Sequence, residues 1–425
     1  MSIRALNLLP LFSILLVAQQ AQDPVAIARK ALDLLLAGKY PEFHQMSTAD
    51  VQKGLPLPEL AKLGASFKSY GSMEKIGDAA VTKSGPNSIV TIPVKFTNQN
   101  INFRIVINAS GLVSGIFQLP GGVTWQRPEY SKPDSFKERE VTVGEGEWKL
   151  PGTLTAPNGS GPFPAAVLVH GTGPNDRDET VGGAKVFKDL AEGLASRGIA
   201  VLRYEKRTKQ YGSRVAGIKN LTVEEETVED AVQALAVLRS LPGIDGKKVF
   251  VIGHSLGGYV GPRIAAQDGK LAGIVVMAGN VRPMEDLLVE QVQYLGGTGV
   301  PLANAKALQA KVKKLESGDD DAPAIGGVPA AYWLDLKGYD PAAEAKKAGL
   351  PMLILQGERD YQVTMTDFGL WKGAVGSAKG VVMKSYPALN HLFVAGEGKS
   401  LPAEYNKPGH VAAAVIEDIA AFIKQ

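Results

Sequence analysis

The stretch Val249-Phe250-Val251-Ile252-Gly253-His254-Ser255-Leu256-Gly257-Gly258-Tyr259 decides how this chain is read. Four apolar residues suited to a buried strand run into a serine with glycines two positions before and two after, and a helix-compatible stretch follows. That pattern predicts a strained strand-to-helix turn, where a Cβ at the glycine positions would crowd the backbone. Such a turn exposes Ser255 and aims the first backbone N–H groups of the helix at its oxygen. The competing reading is a tight helix entry with Ser255 as a cap.

A serine hydroxyl is a poor nucleophile at neutral pH; it needs a base, and the base needs an orienting carboxylate. The five histidines are His44, His170, His254, His391 and His410. His44 falls in a front region, His170 ends an earlier strand, and His254 adjoins the serine, where its side chain cannot turn back. His391, in the loop Pro387–Phe393 after a strand-like Gly380–Tyr386, is the expected base, with His410 as fallback at the start of the closing helix. For the acid, the apolar run Met352–Leu355 leads into Gln356-Gly357-Glu358-Arg359-Asp360, and Asp360 follows the strand end, where doubly wound sheets display functional groups. Glu358 is the second choice.

A tetrahedral oxyanion needs preorganised donors. The N–H of Leu256, directly after the serine, is one candidate. The other is the N–H of Thr172 in His170-Gly171-Thr172-Gly173-Pro174, where glycines permit close backbone approach. Read instead as a phosphate cradle, that loop lacks a third glycine and loses a donor at Pro174.

Outward from this centre, strands alternate with helices from about residue 137 to 425, the signature of a mostly parallel sheet covered on both faces. Ala165–Val169 and Ile199–Leu202 read as strands, and Val186–Ser196 and Val223–Leu238 as helices. Over residues 282–348 the alternation is lost, and helices at Glu285–Tyr294 and Asn304–Leu315 predict a lid insertion. Arg203–Arg207 either lines the site or pairs charges at its rim, and Tyr332-Trp333 is expected in the lid core. Residues 120–136, with Pro120, Gly121, Gly122, Pro128 and Pro133, suit a linker. Ahead of it, residues 24–119 show two helical stretches and then three strands, a small α+β domain.

The 425 residues allow two or three domains at about 150 residues each. With 46 Lys and Arg against 43 Asp and Glu, the net charge is +3 and no dense basic run tracks phosphates, so nucleic acid is not an expected partner. Cys is absent, which excludes disulfides, thiolate metal sites and a cysteine nucleophile. No His and Asp cluster has ligand spacing, so neither metal nor cofactor is required. Residues 1–22 carry Arg4, an apolar run Leu6–Ala18 and a polar exit, which read as a signal peptide. The run is short for a membrane span of about 20 residues, so a secreted or periplasmic protein without a stable membrane span after cleavage is expected; the alternative is an uncleaved anchor, because no clean A-x-A site is visible near Ala18 or Ala21. Homo-oligomers are compatible with the sequence and not specified by it.

From about Glu138 to the C-terminus the chain resembles bacterial α/β-hydrolases of the dienelactone-hydrolase-like and serine aminopeptidase-like group. The resemblance rests on His170-Gly171-Thr172-Gly173-Pro174 with Asp176-Arg177-Asp178, on Gly253-His254-Ser255-Leu256-Gly257-Gly258, on Gly357-Glu358-Arg359-Asp360 and on Asn390-His391. The front domain resembles, by position and pattern, the small module often found ahead of such hydrolases. The nucleophile, acid, base order Ser255, Asp360, His391 is that family's order. The resemblance implies Ser255 as nucleophile, Asp360 as acid, His391 as base, and Thr172 and Leu256 as oxyanion donors. Dienelactone hydrolases use a cysteine that this chain lacks, so the serine resembles the esterase and peptidase members. The expected activity is carboxylic-ester hydrolysis of a small molecule; the alternatives are a serine peptidase acting on short peptides and an inactive cell-envelope binding protein.

Overall fold

The computed structural model describes residues 23–97, 100–121 and 125–425, so the expected signal peptide over 1–22 lies outside the described residues. The chain divides into two units, residues 1–122 and 123–425.

In the first unit, Asp23 caps α1 (Pro24–Leu36) by accepting the Val25 N–H at 2.9 Å, and Pro24 fits the first helical position because its missing N–H would have no partner there. Short helices α2 (Tyr40–Gln45) and α3 (Ala49–Gly54) precede α4 (Leu57–Ser66). Five antiparallel strands follow: β1 (Met73–Ile76), β2 (Ala80–Ser84), β3 (Asn87–Phe96), β4 (Asn100–Ile107) and β5 (Val113–Pro120). Their order is β1-β3-β4-β5, with β2 also paired to β3. Alternate residues Val90, Ile92 and Val94 of β3 and Phe103 and Ile105 of β4 join Ala28, Ala31, Leu32 and Leu35 of α1 in one core, the period-2 and period-3.6 faces meeting. Elements α2, α3, β1 and β2, all of six residues or fewer, are too short to show a hydrophobic period in the sequence.

The second unit opens with β6 (Phe136–Val143), β7 (Leu150–Pro157) and β8 (Phe163–Val169), then a two-strand ladder of β9 (Thr180–Val181) and β10 (Ala184–Lys185). Next come α5 (Val186–Ala195), β11 (Ala200–Tyr204), α6 (Arg207–Ala216), a π-turn over Glu224–Val228 and α7 (Glu229–Ser240). β12 (Ile244–His254), α8 (Leu256–Asp268) and β13 (Gly273–Met277) complete the centre. The remainder is α9 (Met284–Tyr294), α10 (Gly299–Lys314), α11 (Ala330–Lys337), α12 (Pro341–Ala348), β14 (Met352–Gly357), α13 (Met365–Val375), β15 (Val381–Tyr386) and α14 (Ala413–Lys424).

Eight strands form one sheet in the order β15-β14-β13-β12-β8-β11-β7-β6. Only the β11–β7 and β7–β6 pairings are antiparallel. The central strands read as continuous apolar runs because both faces are covered. Ala165, Val167, Val251 and Ile354 pack on the side of α7, α8 and α12, whereas Ala166, Leu168, Ile252 and Leu355 pack against α5 and α14.

Three expectations are corrected. Residues 125–131 are not a loose linker: Trp125 Nε1 donates to Asp189 at 2.8 Å, Arg127 and Ser131 bond Glu192, and the Tyr130 hydroxyl donates to the Val411 carbonyl. The insertion over 282–348 ends before α12, which packs against the sheet-covering helices α8 and α13 and so serves as a crossover helix leading into β14. Strands β6, β7 and β13 lie where the sequence reading places none; β6 is an edge strand carrying Lys137-Glu138-Arg139-Glu140, and charge is what protects an exposed edge from further pairing. No helix among the described residues is long and apolar enough to cross a membrane.

Candidate active site

The segments that follow five parallel strands, β8, β12, β13, β14 and β15, converge on one cavity of about 350 Å³, lined among others by Ser255, His391, Thr172, Gly171 and His254. Ser255 sits between β12 and α8 at φ 54° and ψ −117°, a conformation that side chains rarely adopt and that costs on the order of 1–3 kcal/mol. The turn closes because Gly253 and Gly257 lack side chains: a Cβ on the first would overlap the Gly257 carbonyl, and one on the second the Val169 carbonyl. The Ser255 N–H donates to the Met277 carbonyl of β13 at 2.8 Å, which fixes the elbow to the sheet.

His391 is buried, and its Nδ1–H donates to Asp360 Oδ2 at 2.7 Å. That bond keeps the proton on Nδ1 and leaves Nε2 as the acceptor nitrogen. Asp360 is itself fully engaged. Its Oδ1 accepts the N–H groups of Gln362 at 2.7 Å and Val363 at 3.0 Å, and Oδ2 also accepts Gln356 Nε2 at 3.1 Å. Glu358, the second choice for the acid, is exposed and accepts the Ser385 hydroxyl, away from His391.

Leu256 is the first residue of α8, where an N–H has no intrahelical acceptor. Among the described residues no acceptor takes the Thr172 N–H either. The loop carrying Thr172 is held by Asn175, whose Nδ2 donates to the Gly171 carbonyl at 3.1 Å and the Thr172 carbonyl at 3.2 Å.

The other histidines are spoken for. His170 is buried against Phe187 and Tyr204, and burial pushes its pKa down to about 4. His410 faces Asp189 at 3.2 Å, and His44 Nε2 faces the Leu55 carbonyl at 2.7 Å in the first unit. Of the segment Arg203–Arg207, Arg203 pairs with Asp178 and Glu138, Glu205 with Arg177, and Arg207 with Asp230, which settles these three as charge pairs. Trp333 is in the core as expected, and its indole N–H donates to the Ile325 carbonyl.

His254 is the residue the sequence reading leaves without a role. Its Nε2 donates to the His391 carbonyl at 2.9 Å and its Nδ1 lies 3.0 Å from Glu179 Oε2, both groups buried. The Nδ1–Oε2 approach is an ion contact rather than an aligned hydrogen bond, and a carboxylate beside one ring nitrogen and a carbonyl beside the other both favour the protonated ring. Burial opposes the charge, but the Glu179 carboxylate outweighs it and holds the imidazole above its ordinary range. In the same way burial would raise the Glu179 carboxyl, and His254 outweighs it and holds it below the usual carboxylate range. Glu179 Oε1 accepts the Gly171 N–H at 2.8 Å, so the pair ties the Thr172 loop to the His391 loop.

A raised histidine contributes stability that is full below its unfolded value and is lost as pH rises through its folded one. A lowered carboxylate contributes stability above its unfolded value that is lost as pH falls through the folded one. Both contributions are therefore complete between about pH 4.5 and 6.5. Glu179→Gln is expected to lower unfolding stability by about 3 kcal/mol near pH 5.5, a deficit that shrinks under alkaline conditions. Denaturant melts of both proteins across pH check this, and a deficit independent of pH contradicts it.

A second cavity of about 710 Å³ shares Thr172, Met284 and Leu288 with the first, and its wall includes Glu226, Tyr332 and Trp333.

Comparison with known proteins agrees with this architecture. Residues 166–412 match the model of the alpha/beta hydrolase family, and residues 28–116 match a family described as a protein of unknown function (DUF3887). The chain is 40% identical over 362 residues to Esterase EstD of Thermotoga maritima, covering 84% of each chain. Among solved structures, Est1E from Butyrivibrio proteoclasticus matches at 15% identity and TM-score 0.44, over 67% of this chain and 99% of its own. The acylaminoacyl peptidase of Pyrococcus horikoshii matches at 13% identity and TM-score 0.45, over 83% and 56%. With more than half its length matched by the family model, and a relative so similar over most of its length, this chain belongs to the alpha/beta hydrolase family.

Proposed function

We propose that this protein is a carboxylesterase that works through an acyl-enzyme on Ser255. His391 Nε2 takes the hydroxyl proton as Ser255 attacks the ester carbonyl, and Asp360 stabilises the imidazolium that forms. The N–H groups of Leu256 and Thr172 hold the oxyanion, and His391 returns the proton to the departing alcohol. Water, activated by the same histidine, then releases the acid. The observation that carries the reading is the Asp360–His391 pair at the wall of the cavity that Ser255 lines, in a chain 40% identical to an esterase.

An ester needs less help from the acid than an amide does, because alkoxide is the better leaving group. A peptidase selecting a free substrate amine would need an uncommitted carboxylate at the pocket. The two glutamates on the walls of these cavities are both committed, Glu179 to His254 and Glu226 to Lys206 and Tyr332. The adjoining 710 Å³ chamber, walled largely by apolar side chains, suits a small-molecule ester with a sizeable apolar group. Export to the periplasm or the medium is part of the proposal and is supported by Arg4 and the apolar run Leu6–Ala18.

The test is kcat/KM on an acyl p-nitrophenyl ester and on an aminoacyl p-nitroanilide, with Ser255→Ala as blank. Turnover of the ester with little or none of the anilide is expected. Efficient anilide cleavage would replace the esterase by a peptidase.

A further inference from the structure

Lys206 is an ammonium group on a side chain only 2% exposed, and the mechanism above does not use it. A buried charge of that kind persists only with strong partners. It has two: Glu226 Oε1 at 3.1 Å and the backbone carbonyl of Gly171, to which Nζ donates at 2.9 Å. That carbonyl belongs to the peptide whose other end is the Thr172 N–H. The peptide is trans, so its C=O and N–H point in opposite directions. A cation pulling on the oxygen therefore turns the N–H away from itself, and it withdraws electron density so that the N–H becomes a stronger donor.

We propose that Lys206 is a positioning residue for the oxyanion hole, orienting and polarising the Gly171–Thr172 peptide, and that the helical insertion reaches it through Tyr332 and Glu226. This deepens the reading of Thr172 as an oxyanion donor and rests on it. The Tyr332 hydroxyl of α11 donates to Glu226 Oε2 at 2.6 Å, and Glu226 holds Lys206 through its other oxygen. Glu226, Tyr332 and Thr172 all line the larger chamber, so an apolar group bound there touches both ends of this chain of contacts. The Gly171 N–H is held independently by Glu179, which leaves Lys206 and Asn175 to set the peptide on the carbonyl side.

Replacing both members of a buried pair by neutral groups strands no charge, so Lys206→Met combined with Glu226→Gln is the variant to make. The readout is the ratio of kcat/KM for a p-nitrophenyl ester to that for its thiono analogue, whose C=S accepts hydrogen bonds poorly. The variant is expected to lose about tenfold or more in kcat on the ester, with KM little changed, while thionoester turnover falls far less, so that the ratio collapses. A folded variant with the wild-type ratio overturns the proposal. Should the double variant fail to fold, Lys206→Gln, whose amide can still meet Glu226, carries the test: a fall in the ratio supports the proposal and an unchanged ratio overturns it, while Tyr332→Phe reads the link from the insertion, which a several-fold fall supports and an unchanged ratio overturns. Failure of the underlying esterase reading would look different, as a wild-type protein without ester turnover or as activity surviving in Ser255→Ala.

Discussion

Asp360→Asn is expected to lower kcat/KM on an ester by about 10⁴-fold while leaving the fold intact. The carboxylate of Asp360 has its two oxygens committed differently: Oδ1 accepts two backbone N–H groups and Oδ2 accepts His391 Nδ1–H. An asparagine there keeps its carbonyl oxygen on the two N–H groups, because the reverse orientation sets its amide against both of them, whereas in this one only Gln356 Nε2 loses an acceptor, and that amide retains the carbonyls of Gly357 and Val363. The amide NH₂ then faces His391, whose Nδ1 becomes an acceptor, and the ring proton moves to Nε2. In that tautomer Nε2 cannot accept the Ser255 proton. The loss should therefore fall on kcat rather than KM. Steady-state kinetics with a circular dichroism melt checks this, and a variant within about tenfold of wild type would remove Asp360 from its assigned role.

How much of this was visible in the sequence differs from residue to residue, for physical reasons. Ser255 was legible because a strained turn admits glycine alone at its close approaches, and glycine spacing survives in a linear string. His391 was reached by elimination among five histidines, and Asp360 by its position after a strand end; the exposed Glu358 shows how near the second choice lay. The two cavity-wall glutamates were not legible. Glu179 meets His254 across 75 residues of chain and Glu226 meets Lys206 across 20, and neither spacing belongs to a repeating element. Segment 125–131 reads as a linker by composition because its partners, Asp189 and Glu192, are buried on α5, where a sequence offers only helix-compatible acids. The central strands β8, β12 and β14 announce themselves by continuous apolar runs, and β13 (Gly273–Met277) carries the same signal in a shorter strand that opens on glycine. Edge strand β6 carries its charges consecutively and has no such run.

Ser255→Ala has the largest expected effect, a loss on the order of 10⁵- to 10⁶-fold in kcat, because removal of the nucleophile disables the whole constellation at once. Residual hydrolysis above the rate in water should come from the oxyanion donors and binding alone. Mass analysis measures the same claim chemically. Wild-type protein and Ser255→Ala are mixed with a p-nitrophenyl ester, quenched in acid within a turnover, digested and weighed. The account expects one acyl adduct in the wild-type protein, on the peptide that contains Ser255, and none in the variant. An adduct on another residue, or the same adduct and turnover in Ser255→Ala, would contradict it.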